Sequence, residues 1–341
     1  MDLPAVFARY RAEVEAEMKA ALECYRSPLY DMLRYHLGWI DEQGRPLSGS
    51  SGKALRPTLC LLACEASGGI YQKALPAAAA LELLHNYSLI HDDVQDDDRQ
   101  RRHRPTVWAI WGKPQAINAG SAMWTIANLT MFRLLDLGVP TGKLLRGLQL
   151  LDTTCIRLLE GQYLDISFEG RTGLSVAEYL EMVEGKTAAL LAGSLEMGAM
   201  LATEDERTIS ALREYGRNLG LAFQIRDDLL GIWGEEAKTG KPVGSDIRRR
   251  KKTFPIVYAW EKAGSVARAE LERIYGGTTV DDGATEKVLT ILAEVGAQAQ
   301  AQGVIEEYSH RALVALAKIT LVPWWRASLE EMVHFLAQRD F

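Results

Sequence analysis

The stretch Leu89-Ile90-His91-Asp92-Asp93-Val94-Gln95-Asp96-Asp97-Asp98, followed by Arg99-Gln100-Arg101-Arg102, places five aspartates within seven positions after an apolar run, and then three arginines within four. If residues 77–96 form a helix, Asp92 and Asp96 lie one turn apart on the same face. Two such carboxylates repel each other, and a bound cation would remove the repulsion. Magnesium suits this site, because it combines one or two carboxylates with phosphate oxygens of a substrate. The alternative is a helix end that runs into a solvated charged loop.

The composition is that of an ordinary globular protein of 341 residues, with 48% hydrophobic and 25% charged residues. No segment resembles a linker, so we predict a single domain over residues 1–341. The net charge of -6 argues against nucleic-acid binding. No apolar run approaches the ~20 residues that span a bilayer, and the N-terminus lacks the features of a signal peptide. Cys60 and Cys64 are expected to be buried thiols, which indicates the cytoplasm.

Helical signals dominate the chain, because Ala, Leu, Glu, Met and Arg are abundant and no alternating strand pattern is convincing. The helices expected over 115–137 and 186–202 are apolar on most of their circumference, as in the interior of a bundle. Further long helices are expected over 142–168, 175–201 and 205–232. We therefore predict an all-α fold, with major loops over 41–53 and 234–252.

A second acidic segment, Phe223-Gln224-Ile225-Arg226-Asp227-Asp228-Leu229-Leu230-Gly231, echoes the first one. Again a long predicted helix ends near an acidic pair and a loop, and Gln224 lies one turn before that pair. An isolated acidic pair is usually a surface feature, but apolar residues flank this one on both sides. Two acidic helix segments that face each other would form one cation-binding site.

Candidate anion-binding residues are distributed along the chain. Gly52-Lys53-Ala54-Leu55-Arg56-Pro57 places two cations at a predicted start of a helix, where backbone amides and positive side chains together suit a diphosphate. His85 precedes Asp92 by seven residues, or about two helical turns on the same face. Taken singly, each candidate is typical of a solvated or structural residue; the others are Arg101, Arg102, Lys186, Thr187, Lys241, Lys251 and Lys252. Asp246 lies in the same predicted loop as the last three lysines.

Taken in order, these motifs resemble those of the trans-isoprenyl diphosphate synthases, the polyprenyl synthetase family, from about Gly52 to Pro255. The segment His91 to Asp96 with Arg101-Arg102 is similar to the first aspartate-rich motif of the family, DDxxD followed by RR. The segment Gly52 to Pro57 is similar to GKxxRP, and Phe223 to Asp228 to the start of the second motif. Gly240-Lys241-Pro242 and Gly244-Ser245-Asp246 resemble the loop after it.

The resemblance implies a single large helical bundle around a deep central cavity, usually a homodimer, that joins isopentenyl diphosphate to an allylic prenyl diphosphate. Three Mg²⁺ ions would bridge the acidic segments to the allylic diphosphate, with Asp92, Asp96 and Asp227 as ligands and Asp93 in support. The resemblance assigns further contacts with the allylic diphosphate to Arg101, Lys186, Thr187, Gln224, Lys241 and Lys251. It assigns isopentenyl diphosphate to Lys53, Arg56, His85 and Arg102.

Two positions depart from the family pattern. Gly231 stands where the second motif normally has a third aspartate, so the metal there is expected to bind more weakly or through water. His103 stands where a glycine normally follows the two arginines. These departures bear on the activity more than on the fold.

Tyr87 lies five residues before Asp92, about 7.5 Å nearer the start of the helix. The resemblance implies that a bulky residue at this position closes the end of the cavity and stops chain growth early. Ser88 beside Tyr87 is small. This combination suggests geranylgeranyl diphosphate (C20) as the product, with farnesyl diphosphate (C15) next; Tyr87 could instead simply pack in the core. Two alternatives remain, a class I terpene cyclase on the same scaffold and a non-catalytic regulatory subunit of a prenyl synthase. Gly231 favours the cyclase, whereas the intact isopentenyl site opposes it.

Overall fold

Helices form nearly all the regular structure of residues 6–47, 54–236 and 242–338, which are the residues that this computed structural model describes. The predicted all-α fold is confirmed. In chain order the helices are α1 (Val6–Leu22), α2 (Pro28–His36), α3 (Leu55–Ala66), α4 (Leu75–Gln95), α5 (Val107–Trp111), α6 (Lys113–Met131), α7 (Thr141–Glu169), α8 (Val176–Val183), α9 (Ala189–Ala202), α10 (Glu206–Trp233), α11 (Ser245–Arg248), α12 (Phe254–Lys262), α13 (Ser265–Gly276), α14 (Asp282–Glu294), α15 (Ala297–Ala317) and α16 (Pro323–Gln338).

The centre of the bundle consists of helices that are apolar nearly all round. α4 packs along α6, α3 packs along α9, and α10 packs along both α9 and α15. Every residue of α4 from Pro76 to Leu84 is buried, and the four alanines 77–80 allow its neighbours to approach closely. Burial of one large apolar side chain contributes roughly 1.5–3 kcal/mol, so this interior is the main source of stability.

Buried apolar residues form two clusters that share α10. The larger cluster lies among α1, α3, α4, α6, α9 and the first part of α10, where Leu212 and Leu219 belong to it. The smaller cluster lies among α8, α12 to α15 and the last part of α10, from Leu221 to Ile232. The acidic pair of α10 therefore lies on a turn that the smaller cluster holds in place.

The helix predicted over 175–201 is interrupted. α8 and α9 are joined by a π-helical turn, Glu184–Ala188, which contains Lys186. This turn lies against α7 through two glycines: a Cβ atom on Gly161 would be 2.0 Å from the Lys186 backbone nitrogen, and one on Gly185 would be 2.7 Å from the Arg157 carbonyl oxygen. Periodicity alone does not reveal such a turn, which in other proteins is frequent at functional sites.

The loop predictions are confirmed in part. Residues 41–47 have no helix, whereas the rest of the first predicted loop lies outside the described residues, as does Lys53. The second predicted loop contains the short helix α11, and Lys241 lies outside the described residues. Cys60 and Cys64 are buried free thiols, as predicted.

Two strands of two residues each, β1 (Gln100–Arg101) and β2 (Arg104–Pro105), form a small antiparallel hairpin after α4. The other strand-like pairing in the described ranges is a single bridge between Ile40 and Pro46. No helix in the described part of the chain is both long enough and apolar enough to cross a membrane.

Candidate active site

A cavity of about 760 Å³ lies between α4, α7, the π-helical turn, α10 and the segment that follows α10. Most of the sequence-predicted site residues line it: Arg56, His85, Tyr87, Ser88, Asp92, Asp96, Arg101, Lys186, Thr187, Gln224, Asp227 and Lys251. Asp93 and Arg102 are not among the lining residues. Carboxylates outside the predicted metal ligands also line the cavity, among them Asp165, which the sequence did not indicate, and Asp246, which it placed only in the loop after the second motif.

Asp92 and Asp96 stand at the end of α4 and form the first acidic wall of the cavity. The backbone N–H of Asp96 donates to the carbonyl oxygen of Asp92 at 2.8 Å, so the helical geometry continues through both residues. Burial and then repulsion from Asp92 raise the pKa of Asp96 to about 6. The predicted crowding of negative charge on one helical face is therefore present.

Arg101 and Lys186 bring positive charge to this wall. Arg101 Nε donates to Asp93 Oδ1 at 2.7 Å, and its Nη2 donates to Asp92 Oδ2 at 3.2 Å. Burial raises the pKa of Asp93 to about 6, although Arg101 acts in the opposite direction. Since Asp93 is 1% exposed, its place is behind Arg101, which it orients.

Asp165 on α7 forms an ion pair with Lys186, whose Nζ also lies 3.4 Å from Asp92 Oδ1. Burial opposes the charge of Lys186, but Asp165 and Asp92 raise its pKa. The sequence signal that could have identified Asp165 is its spacing from Leu158 and Gln162, which line the cavity from the same face of α7.

Asp97 and Asp98 belong to the loop after α4. Asp97 pairs with Lys113, and Asp98 pairs with Arg249 in the segment after α10. The loops that follow the two acidic helix segments are thereby joined beside the cavity.

The β1–β2 hairpin turns through Arg102 and His103, whose φ angles are 52° and 61°. Positive φ at both central residues is the geometry that a two-residue hairpin turn requires and that glycine or asparagine adopts most easily. Histidine is also enriched at positive φ. The replacement of the usual glycine by His103 therefore keeps the turn, at a strain of about 1–3 kcal/mol.

Asp228 on α10 is held by hydrogen bonds from three directions. Its Oδ2 accepts the Tyr179 hydroxyl at 2.5 Å and the Phe254 backbone N–H at 2.8 Å, and its Oδ1 accepts Gln224 Nε2 at 3.1 Å. Burial raises its pKa to about 6. Gln224 in turn accepts the Thr187 hydroxyl at 2.9 Å, so this network fixes α8, the π-helical turn and α10 relative to one another.

Lys251 lies opposite α10 among several carboxylates. Its Nζ is 3.9 Å from Asp228 Oδ1 and 3.8 Å from Asp246 Oδ2. Burial opposes the charge of Lys251, but Asp228 and Asp246 raise its pKa. The ammonium group is therefore firmly protonated and available to an anion.

A basic pocket lies next to the first acidic wall. Arg56 Nε is buried and has no hydrogen-bond partner among the described residues. Burial lowers the pKa of Arg56 to about 10, whereas Glu82 acts in the opposite direction. Burial and the nearby arginines lower the pKa of His85 and bring that of His36 to about 3, so both imidazoles are neutral. Arg56 and Arg102 keep their charge, which gives the pocket the character of an anion site.

Tyr87 forms part of the apolar end of the cavity. It is 8% exposed, and its ring lies 4.9 Å from the His91 ring and 5.8 Å from the Trp124 ring. A Cβ atom on Gly120 would be 2.3 Å from the His91 ring, so this glycine allows the aromatic cluster to form. Tyr87, His91 and Trp124 together make a bulky aromatic group, of which Tyr87 and His91 line the cavity.

The donor set fits magnesium. Among residues 6–47, 54–236 and 242–338, no three carboxylate, histidine or cysteine side chains form a metal site by themselves. The carboxylates of Asp92 and Asp96 lie on one side of the cavity and that of Asp227 on another. All are hard oxygen donors, and an ion bound to one side would complete its coordination with oxygens of a diphosphate and water.

Comparison with known proteins agrees with this arrangement. The sequence model of the polyprenyl synthetase family matches residues 38–292. The chain is 42% identical to a (2E,6E)-farnesyl diphosphate synthase of Mycobacterium tuberculosis over 91% of this chain and 86% of the relative. It is 41% identical to a geranylgeranyl diphosphate synthase of the same organism over 92% of this chain and 88% of the relative. The structure of a polyprenyl synthetase from Streptomyces coelicolor A3(2) superposes with a TM-score of 0.90 and 37% identity, covering 98% of this chain and 99% of the other.

Proposed function

The chain belongs to the polyprenyl synthetase family and is a short-chain prenyltransferase. We propose that it condenses isopentenyl diphosphate with allylic prenyl diphosphates and that its main product is geranylgeranyl diphosphate, with farnesyl diphosphate as the second candidate. One observation carries this proposal: the cavity is lined by carboxylates of α4 and α10 and also, in a separate part, by Arg56 and His85 of the basic pocket. Two diphosphates can therefore bind side by side, one through cations and one through arginines.

The allylic diphosphate would bind between the two acidic helix segments. Asp92, Asp96 and Asp227 would hold Mg²⁺, for which we propose three ions, and Arg101, Lys186, Thr187, Gln224 and Lys251 would contact the same diphosphate. Magnesium, when bound, would neutralise the charge that develops on the leaving diphosphate. Arg101 and Lys186 already stand at Asp92 in fixed positions, so little reorganisation is needed when the bond to the leaving group breaks.

Isopentenyl diphosphate would bind at Arg56, His85 and Arg102, together with Lys53. The neutral imidazole of His85 can donate one hydrogen bond to a phosphate oxygen without adding charge. The double bond of isopentenyl diphosphate would attack the allylic cation, a new carbon–carbon bond would form, and the released diphosphate would accept the proton that restores a double bond. No protein nucleophile is needed.

Tyr87 would limit the product. A growing chain extends away from Asp92 along α4 and meets the aromatic group of Tyr87, His91 and Trp124. The apolar lining would also exclude water, which would otherwise add to the allylic cation and give an alcohol.

A homodimer is part of the proposal, and α7 supplies the argument. Four large apolar side chains of α7 that do not line the cavity are 40–71% exposed and recur three, seven or eleven residues apart, so they share one face: Leu145, Ile156, Tyr163 and Ile166. α6 adds exposed Ile117 and Leu129. In a two-fold dimer the same apolar face of both copies would meet, and each would cover the other.

The direct test is incubation of the purified protein with Mg²⁺, isopentenyl diphosphate and C5, C10 or C15 allylic diphosphates, followed by chromatographic sizing of the products. We expect C20 product, loss of activity with a chelator, and loss of activity in Asp92→Ala. Asp282→Ala is the matched control, because Asp282 is 88% exposed and forms an ion pair with the partly exposed Arg248, away from the cavity lining. No elongation from any primer would overturn the proposal, and hydrocarbon or alcohol products from one prenyl diphosphate would indicate a cyclase instead.

A further inference from the structure

The space that a side chain at position 231 would fill is taken by another carboxylate. A Cβ atom on Gly231 would lie 2.2 Å from Asp246 Oδ2, 2.5 Å from its Cγ and 3.0 Å from its Oδ1. All three distances are at or below the closest approach of ordinary Cβ contacts, so no larger residue fits at position 231 while Asp246 stays in place. Asp246 can therefore occupy this position only because residue 231 is a glycine.

Local hydrogen bonds hold the two residues before Asp246 against this turn of α10. The Ser245 hydroxyl donates to the carbonyl oxygen of Gly231 at 3.1 Å, and the Gly244 N–H donates to the carbonyl oxygen of Ile232 at 2.9 Å. Gly244 has a φ of 74°, which a residue with a side chain adopts only with strain. The start of α11 is thus fixed beside position 231 by one side-chain and one backbone hydrogen bond to the end of α10.

Asp227 and position 231 lie one helical turn apart on the same face of α10. A carboxylate held over position 231 therefore lies next to Asp227 along the cavity. Asp246 lines that cavity and is 7% exposed. Asp228 also lines the cavity, but its oxygens accept hydrogen bonds from Tyr179, Phe254 and Gln224. Asp227 and Asp246 are therefore the carboxylates of α10 and its following segment that we expect a bound diphosphate to meet.

We propose that Asp246 supplies the carboxylate that the second acidic segment lacks at Gly231, so that divalent cations bound with the diphosphate meet two carboxylates on this side of the cavity. The inference rests on the proposed function and extends its metal-binding residues. It replaces the expectation of a weakened metal site at Gly231 with one in which the carboxylate comes from α11.

Inorganic diphosphate and Mg²⁺ provide a test that does not depend on catalysis. The readout is the rise in melting temperature that diphosphate causes as Mg²⁺ is titrated. In Asp246→Asn, which keeps the volume but removes the charge, we expect the Mg²⁺ concentration at half-maximal stabilisation to rise roughly tenfold or more. The control Asp282→Asn removes the same charge from an 88% exposed site nearby and should leave that midpoint unchanged.

A reciprocal exchange makes the test sharper. Gly231→Asp alone should lower the melting temperature without ligand, because two carboxylates would share one space. The double variant Gly231→Asp with Asp246→Gly removes that clash and should return the Mg²⁺ midpoint to within about threefold of wild type. This double variant also decides the question if Asp246→Asn fails to fold.

Asp246 could instead act only by positioning Lys251, whose Nζ is 3.8 Å away. Asp246→Asn would then weaken diphosphate binding at saturating Mg²⁺ but leave the Mg²⁺ midpoint unchanged, and this result would overturn the proposal. A failure of the proposed function is distinguishable, because wild-type protein would then make no prenyl product although the Mg²⁺ and diphosphate titration still reports on Asp246.

Discussion

Tyr179 donates its hydroxyl hydrogen to Asp228, and this buried bond separates the roles of the two adjacent aspartates of α10. Asp228 is 1% exposed, and the Phe254 backbone N–H donates to the same oxygen. Asp227 and Asp228 both line the cavity, but the oxygens of Asp228 accept these buried hydrogen bonds. We infer that Asp228 fixes α10 against α8 and α12, whereas Asp227 serves the diphosphate.

Substitution of each aspartate should therefore have a different effect. Asp228→Asn replaces one acceptor oxygen by an amide donor, so a buried hydrogen bond is lost and the free energy of unfolding should fall by about 1–3 kcal/mol. Asp227→Asn should cost less stability than Asp228→Asn and lower kcat by about a hundredfold or more, since a metal ligand is removed. Urea unfolding and steady-state kinetics of both variants test this division, and equal stability losses would contradict it.

The parts of this site that were predictable from sequence are those whose geometry is local. Asp92 and Asp96 share a face because they are four residues apart on one helix, and spacing alone establishes that. Asp165 and Asp246 reach the same cavity from α7 and α11, so their positions depend on the packing of separate elements. For the same reason the sequence indicates a missing carboxylate at Gly231, whereas in the structure the carboxylate of Asp246 occupies that space.

The aromatic end of the cavity leads to a prediction about product length. Tyr87→Ala removes the ring that lies between the cavity and Trp124, so the bound chain can grow further and the main product should lengthen by one or more C5 units. Tyr30→Ala is the matched control, because Tyr30 stacks on Tyr25 at 4.7 Å and does not line the cavity. Chromatography of dephosphorylated products distinguishes the lengths, and an unchanged product from Tyr87→Ala would refute the floor assignment.

Arg56 should affect one substrate and not the other. In Arg56→Lys the planar guanidinium, which can hold two phosphate oxygens at once, is replaced by a single ammonium. We expect the KM for isopentenyl diphosphate to rise about tenfold, and the KM for the allylic diphosphate to stay within about twofold. Exposed Arg268→Lys should change neither constant. A parallel rise in both constants would argue against a separate isopentenyl pocket.

His36 gives the protein a defined response to acid. Burial first, and then Arg102, Arg101 and Arg104, lower its pKa to about 3 from 6.5. The unfolded chain therefore binds a proton below pH 6.5 that the folded protein does not bind, and stability is lost as the pH falls through this window by ~1.4 kcal/mol per pH unit. His36→Gln should remove this part of the loss, so that unfolding free energies fall by roughly 2 kcal/mol less between pH 7 and pH 5 than in wild type.

The comparison with wild type at each pH isolates His36, because the buried aspartates whose pKa values are raised contribute to both proteins. Those aspartates act in the opposite direction: Asp93, Asp96 and Asp228 take up protons in the folded state first. His310→Gln, at an exposed position of α15, is the control. Identical pH profiles for wild type and His36→Gln would show that His36 does not carry this dependence.

The apolar face of α7 predicts the assembly state. Ile156 is 54% exposed in the single chain and does not line the cavity. If a second copy covers this face, Ile156→Asp buries a charge in the interface twice, once in each subunit, and should convert the dimer to monomer at micromolar concentration. Val266→Asp introduces the same charge at an 84% exposed position of α13 and should leave the mass unchanged. Sedimentation velocity of wild type and both variants gives the masses directly. A monomeric wild-type protein would contradict the dimer, and a dimeric Ile156→Asp would place its interface elsewhere.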